Sequence, residues 1–188
     1  MDEAGRGALA GPVVAAAVIF RQGQDRSIYT DSKKLSPARR EELFPIILAS
    51  SMAVGIGVVH HQHIDEINIL RATYVAMAKA VSRLEQAPTL VLIDGNRRVP
   101  DLPYPQKTVV KGDLRVPVIG AASIVAKVIR DRIMRGYHQV FPDYCFYDNK
   151  GYGTAKHYAM IEAHGPCRIH RLSFELGLTK QLTLFKLK

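Results

Sequence analysis

The run Val13–Phe20, Val-Val-Ala-Ala-Ala-Val-Ile-Phe, places the strongest constraint on the fold. Every residue in it is apolar, yet it is far shorter than the roughly 20 residues that span a bilayer. Small and β-branched residues in a run of this length fit a buried strand. Gly11-Pro12 punctuates its start and Arg21-Gln22-Gly23 its end. Residues 52–59 alternate small and branched side chains and read as a second strand. Residues 89–93 are wholly apolar, which suits a central parallel strand. That strand delivers Asp94-Gly95-Asn96 at its C-terminal end, where functional groups collect in open α/β sheets. Residues 107–110 form a further strand that ends in Lys111-Gly112-Asp113.

Helical signals lie between and after these strands. Ser36-Pro37 supplies an N-cap and a first-turn proline for a helix to about residue 49, which Pro45 is expected to kink or shorten. Asp65 is expected to cap a long helix to about residue 85. Its apolar stripe is Ile67, Leu70, Tyr74, Met77, Val81 and Leu84. Residues 121–135 predict a helix with Ile124, Val128 and Ile129 inward, and with Lys127, Arg130, Arg132 and Arg135 outward. Thr154 caps another helix that stops near His164-Gly165-Pro166. Residues 172–184 predict a last helix interrupted by Gly177. The order predicts a mixed sheet with helices packed on its faces. The chain of 188 residues has no repeat, low-complexity tract or linker, so one domain is expected.

Apolar residues make up 47% of the chain and charged residues 23%, which excludes a disordered class. The net charge of +9 favours polyanionic partners. The basic residues lack the apolar face of an amphipathic anchor, so no membrane partner is expected. Residues 8–20 have the apolarity of a signal-peptide core, but Asp2 and Glu3 precede them where a basic region belongs. Cys145 and Cys167 read as ordinary thiols of a reducing compartment. The expected location is cytoplasmic.

Four carboxylates, Asp2, Glu3, Asp94 and Asp113, fall at ends of expected strands. If those strands are neighbours, the carboxylates converge. Like charges at close range are unfavourable without a cation. Carboxylate oxygens suit a hard cation such as Mg²⁺ or Mn²⁺, and two such ions could flank a phosphodiester. The other reading of these residues is loop caps and salt-bridge partners. Adjacent strand residues point to opposite faces, so Asp2 and Glu3 share a site only where the strand ends or bends. Gly5 and Gly7 allow that. In Lys150-Gly151-Tyr152-Gly153-Thr154, an aromatic ring between glycines could stack on a sugar or base; the other reading is a loop with a half-buried tyrosine. His60-His61-Gln62-His63 lacks the spaced partners of a zinc site.

Taken together, these segments resemble the ribonuclease HII family. The matching stretches begin with Asp2-Glu3-Ala4-Gly5-Arg6-Gly7, Leu9-Ala10-Gly11-Pro12, Asp31-Ser32-Lys33-Lys34-Leu35, and Ile64-Asp65-Glu66-Ile67-Asn68-Ile69-Leu70. They continue with Val91-Leu92-Ile93-Asp94-Gly95-Asn96, Val110-Lys111-Gly112-Asp113, Ala121-Ala122-Ser123-Ile124-Val125-Ala126-Lys127, Lys150-Gly151-Tyr152, and His170-Arg171-Leu172-Ser173-Phe174. The resemblance implies an α/β ribonuclease H-like fold: a five-stranded mixed sheet flanked by helices, with a helical C-terminal part from about residue 137. It implies endonucleolytic hydrolysis of the RNA strand of RNA–DNA hybrids, and cutting 5′ of single ribonucleotides in duplex DNA, leaving 3′-hydroxyl and 5′-phosphate ends. Ribonucleotide removal and primer removal are the implied roles.

By motif position, Asp2, Glu3, Asp94 and Asp113 become the catalytic, metal-binding carboxylates, with two Mg²⁺ or Mn²⁺ ions when substrate is bound. Gly5, Arg6 and Gly7 become the loop that reads the ribonucleotide 2′-hydroxyl, and Tyr152 the ring that stacks on the following deoxyribose. Ser32, Lys33 and Lys150 become further substrate-binding residues. A monomer is expected, and Gln181-Leu182-Thr183-Leu184-Phe185 faintly resembles a sliding-clamp-binding peptide. The family usually has Pro at the position of Ala8. It also usually has several residues ahead of the Asp-Glu pair, so a short first strand with fewer ladder hydrogen bonds is expected here. Two alternatives stay open. One is a catalytically impaired duplex-binding form, favoured by the charge and the short first strand. The other is a ribonuclease HIII-like enzyme, against which stand Arg6 and Tyr152.

Overall fold

A computed structural model describes residues 1–21, 27–29 and 35–178. The first strand, β1 (Asp2–Ala4), pairs antiparallel with β2 (Val13–Phe20), Asp2 lying opposite Ala16. On its other edge β2 pairs antiparallel with β3 (Ser51–Val59). A second sheet consists of β4 (Val91–Asp94) and β5 (Gln106–Val109), which run parallel. Met1 knits the two sheets together. Its N–H donates to Leu92 O at 2.6 Å, and Asp94 N–H donates to Met1 O at 3.1 Å. One residue bonding to both neighbours of the residue opposite it is the slanted pattern of parallel strands. The strand order across this junction is therefore β3-β2-β1-β4-β5, the mixed arrangement of a ribonuclease H-like fold.

The wholly apolar character of β2 follows from its place in the sheet. Val13, Ala15 and Ala17 face one core with Val59, Ala72, Ala76 and Met77. Ala16, Val18 and Phe20 face another with Leu43, Ile47, Ala122 and Val125. Both sets of alternating positions are covered, so neither can be polar. The first core is roofed by α3 (Ile69–Ser82), the second by α1 (Pro37–Ser50) and α5 (Pro117–Val140). Helix α3 lies directly on β3. A Cβ at Gly55 would stand 1.9 Å from Ala80 O, and one at Gly57 would stand 1.9 Å from Ala76 O. Only a hydrogen fits at either position.

A third core joins Leu9, Met134, Tyr144, Phe146, Ile161 and Ile169. It is formed with the end of α5, a 3-10 turn at Pro142–Tyr144, and the helices α6 (Phe146–Asn149) and α7 (Ala155–His164). Among the described residues, no helix is long and apolar enough to cross a membrane.

Three local expectations are corrected. Helix α1 is capped by Ser36, whose Oγ accepts Arg39 N–H at 3.2 Å, but it runs through Pro45 to Ser50. The proline ring is exposed, so water can reach the carbonyl whose helical donor is lost. Asp65 caps no long helix, because it lies inside α2 (His61–Ile67). Asn68, at φ 68°, divides α2 from α3 and accepts the Leu70 and Arg71 amides on its side-chain oxygen. Asp65 instead accepts the amides of Leu172 and Ser173 at 2.9 and 3.0 Å, together with the Ser173 hydroxyl. Residues 172–178 accordingly form no helix, and Gly177 adopts φ 70°, a left-handed conformation that ends helical runs. Residues 179–184 lie outside the described residues, as does the clamp-like segment at 181–185.

Candidate active site

The short strand β1 puts Asp2 on the face toward α5, where it is 2% exposed. Its Oδ1 accepts the Glu3 N–H at 2.7 Å. Oδ2 is buried and meets no donor in hydrogen-bond geometry among the described residues. The Ser123 hydroxyl lies near the carboxyl and lowers its proton affinity. Burial, and then the Glu3 charge, outweigh that and push the Asp2 pKa from 3.8 to about 7. Glu3 is raised by burial, with Asp94 adding to the rise, while Arg6 opposes it through an Nη1–Oε1 contact of 3.2 Å. Asp94, at the end of β4, accepts the Gly112 N–H on Oδ1 at 2.7 Å. A Cβ at Gly112 would lie 2.6 Å from Ile119 Cδ1, so glycine admits this approach. Lys111 turns the chain in the left-handed region, at φ 54°, into α4 (Gly112–Arg115). That turn places Asp113, 1% exposed, directly after the amide that holds Asp94.

Asp2, Glu3 and Asp94 therefore share one electrostatic environment, and Asp113 adjoins it through Gly112. They do not close into a ready-made cage. Among the described residues, no three His, Cys, Asp or Glu side chains stand as a group able to hold a metal ion. Asp2, Glu3 and Asp94 are each drawn to a local donor: the Glu3 amide, Arg6 and the Gly112 amide, respectively. The donor chemistry nevertheless fits a hard divalent cation. The oxygens are all carboxylate, one is buried with no donor in hydrogen-bond geometry among the described residues, and Asp2 is held at a proton affinity that a cation would offset.

The loop that follows β1 rests on two buried arginines. Arg171 donates from Nε to Gly11 O at 3.0 Å, from Nη1 to Arg6 O at 3.0 Å, and from Nη2 to Gly5 O at 2.7 Å. Arg130 donates from Nε to Pro12 O at 2.9 Å, from Nη1 to Lys150 O at 2.8 Å, and from Nη2 to Ala10 O at 3.0 Å. Both side chains are fully buried. Burial lowers both guanidinium pKa values, that of Arg171 to about 9, which leaves Arg171 cationic at neutral pH. Gly5 adopts φ 95°, and a Cβ there would lie 2.0 Å from Arg130 Nε. In a trans peptide the carbonyl and the next amide point in opposite directions. With the Gly5 and Arg6 carbonyls turned in toward Arg171, the amides of Arg6 and Gly7 face away from it. A Cβ at Gly7 would meet nothing within 4 Å, so that side of the loop is open.

The outward reading of Arg130 is overturned. Its position, four residues after buried Ala126 and four before buried Met134, sets it on the inner stripe of α5. That spacing was the available signal, overridden by the usual preference of arginine for the surface. The other positions of that helix agree better: Arg132 is exposed and Lys127 is partly so.

Tyr152 meets the loop directly. Ala8 bridges Tyr152 and Ala10 bridges His170, both antiparallel. Leu9 N–H donates to Gly151 O, and Arg171 N–H donates to Leu9 O, each at 2.8 Å. The Tyr152 ring is half-buried, with Arg130 Cζ 5.1 Å and Lys127 Nζ 5.3 Å from its centroid. Lys150 reaches back to the Tyr147 carbonyl, and burial lowers its pKa. Ser32 and Lys33 lie outside the described residues.

The family model described as ribonuclease HII matches residues 1–176. A ribonuclease HII from Syntrophus aciditrophicus is 53% identical over 184 residues, covering 98% of this chain and 86% of that protein. Among solved structures, the ribonuclease H2 of Pyrococcus horikoshii superposes with a TM-score of 0.76 at 27% identity, covering 93% of this chain and 92% of that one. The ribonuclease HII of Archaeoglobus fulgidus, solved in complex with PCNA, gives a TM-score of 0.73 at 25% identity and covers 97% of both chains.

Proposed function

The chain belongs to the ribonuclease HII family and is a ribonuclease H endonuclease. From that premise we propose that it hydrolyses the RNA strand of RNA–DNA hybrids and cuts 5′ of single ribonucleotides in duplex DNA. The products are 3′-hydroxyl and 5′-phosphate ends, and the roles are ribonucleotide and primer removal. The observation that carries this reading is one short stretch of chain. Asp2 and Glu3 lead through Gly5, Arg6 and Gly7 to Ala8, which pairs with Tyr152. Acidic groups, an open amide-lined loop and an aromatic ring thus lie in sequence along one path.

Each part has its own task in this reading. Asp2, Glu3, Asp94 and Asp113 are the residues that would hold Mg²⁺ or Mn²⁺, two ions with substrate present. When bound, such ions supply an activated water and neutralise charge at the scissile phosphate. The outward amides of Arg6 and Gly7 donate to the 2′-hydroxyl, the group that separates RNA from DNA. Gly5 lets the loop sit close over Arg130, and the Arg6 side chain stands beside the phosphate path. The Tyr152 ring stacks on the deoxyribose that follows, while Lys150, Ser32 and Lys33 contact the backbone. The +9 charge adds the non-specific, salt-dependent part of binding.

In this reading the protein is a cytoplasmic monomer of one domain. A sliding-clamp partner for residues 181–185 draws support from the Archaeoglobus relative solved with PCNA. The test is cleavage of a labelled DNA duplex containing one ribonucleotide, in Mg²⁺, Mn²⁺ or EDTA. Metal-dependent cutting on the 5′ side of the ribonucleotide is expected. Salt-sensitive binding with no cutting would overturn the proposal in favour of the binding-only form.

A further inference from the structure

The main chain of Tyr152 is reached from behind by two buried histidines that the carboxylates and the loop do not use. His157 on α7 is 0% exposed, and His170, bridged to Ala10, is 1% exposed. Their Nε2 atoms stand 3.1 Å apart. A contact of this length between imidazole nitrogens needs one donor and one acceptor, so the protons can be placed. The Cys167 N–H donates to His170 Nδ1 at 2.9 Å. A ring nitrogen that accepts carries no proton, so neutral His170 is protonated on Nε2 and donates to His157 Nε2. His157 then carries its proton on Nδ1, which lies 2.9 Å from Tyr152 O. The result is a one-way chain from the Cys167 amide through both rings to the Tyr152 carbonyl.

The reverse direction is worse at both ends. His170 Nδ1 could donate to Cys167 O at 3.3 Å, but the Cys167 amide would then lose its acceptor. An unprotonated His157 Nδ1 would also face the Tyr152 oxygen, lone pair against lone pair. Both rings are neutral at neutral pH, because burial lowers the pKa of His157 and takes that of His170 to about 4. Tyr144 and Phe146 wall the pair, with Tyr144 5.0 Å from His170 and Phe146 5.4 Å from His157. That apolar wall fixes the ring orientations and keeps water from competing.

We infer that His157 and His170 are positioning residues for Tyr152: by donating to its carbonyl they fix the peptide plane from which the ring projects toward the loop. The Tyr152 oxygen has two donors, the Thr154 N–H at 2.8 Å and His157 Nδ1. With both in place the peptide cannot rotate, and the ring stays between the Arg130 guanidinium and the substrate side. The inference rests on the reading of Tyr152 as the stacking residue.

The test is a double-mutant cycle on cleavage of a duplex with one ribonucleotide in Mn²⁺, each variant being checked for native near-ultraviolet circular dichroism. Tyr152→Ala is expected to lower kcat/KM about 10- to 100-fold, the range for one lost stacking contact. His157→Leu is expected to lower it about 5- to 10-fold, the scale of one buried hydrogen bond. Because His157 acts through the ring, the double variant should be no slower than Tyr152→Ala alone. His157→Asn, whose amide can still donate to the Tyr152 oxygen, should recover most of the loss. If His157→Leu does not fold, His157→Gln enters the same cycle, since its Oε1 can still accept from His170 while the donor to the Tyr152 oxygen is lost. Additive losses, or an unchanged rate in the histidine variant beside an impaired Tyr152→Ala, would overturn the inference. A wild-type rate for Tyr152→Ala would overturn the stacking reading and this inference with it.

Discussion

Replacing Asp2 with Asn should stabilise the metal-free protein while ending catalysis. The carboxyl is buried, and its pKa rises from 3.8 to about 7. Between those two values the folded state keeps a proton that the unfolded chain has released, so stability falls as pH rises from about 4 to 7 and stays low above. Each tenfold change in proton affinity is worth about 1.4 kcal/mol, so the ionised Asp2 costs on the order of 4 kcal/mol at pH 8. Asn removes that cost. It also introduces an N–H₂ group beside Glu3 and Ser123, and relaxation around the site reduces the gain, so a net stabilisation of about 2 kcal/mol is expected. For a chain of this size that raises Tm by about 4–8 °C. The assay is thermal unfolding of both proteins in EDTA at pH 8 and pH 5. The gap should shrink by more than half at pH 5, where the native carboxyl is largely protonated. Added Mn²⁺ should raise the wild-type Tm by mass action and move the variant less. A variant no more stable than the wild type at pH 8, or a gap of equal size at both pH values, would falsify the argument.

Three further outcomes are expected. Asp94→Asn and Asp113→Asn should each abolish cleavage and leave hybrid binding in a gel-shift assay intact; full activity in either would remove that residue from the site. Arg171→Met should cost about 3 kcal/mol or more in urea unfolding, because the carbonyls of Gly5, Arg6 and Gly11 lose a buried charged donor; a loss under 1 kcal/mol would show that the loop holds itself. Gly55→Ala should cost about 2 kcal/mol, since its Cβ would overlap Ala80 O and force α3 off the sheet. Specific activity of the folded Gly55→Ala protein should be unchanged, and a selective loss of activity would contradict the separation of that contact from the site.

The sequence by itself determined the strands and the order in which acidic groups follow them. Val13–Phe20 had to be covered on both faces because no polar residue interrupts it, and the apolar run before Gly95 brought Asp94 to the C-terminal end of a strand, which the fold sets at Val91–Asp94. Caps such as Ser36 and Thr154 were readable because they act within one turn of chain. What tertiary structure alone decided depends on groups distant in sequence. Asp65 looks like a helix cap until Leu172 and Ser173 arrive and take its oxygens. Arg130 looks like a surface cation until three carbonyls, two from the first loop and that of Lys150, converge on it, and three more from the same loop converge on Arg171. Their charge is tolerated inside because each guanidinium finds three acceptors in fixed directions, and no local pattern records where those acceptors will be. The same holds for His157 and His170, whose proton order depends on a 3.1 Å contact between two segments that only the folded chain brings together.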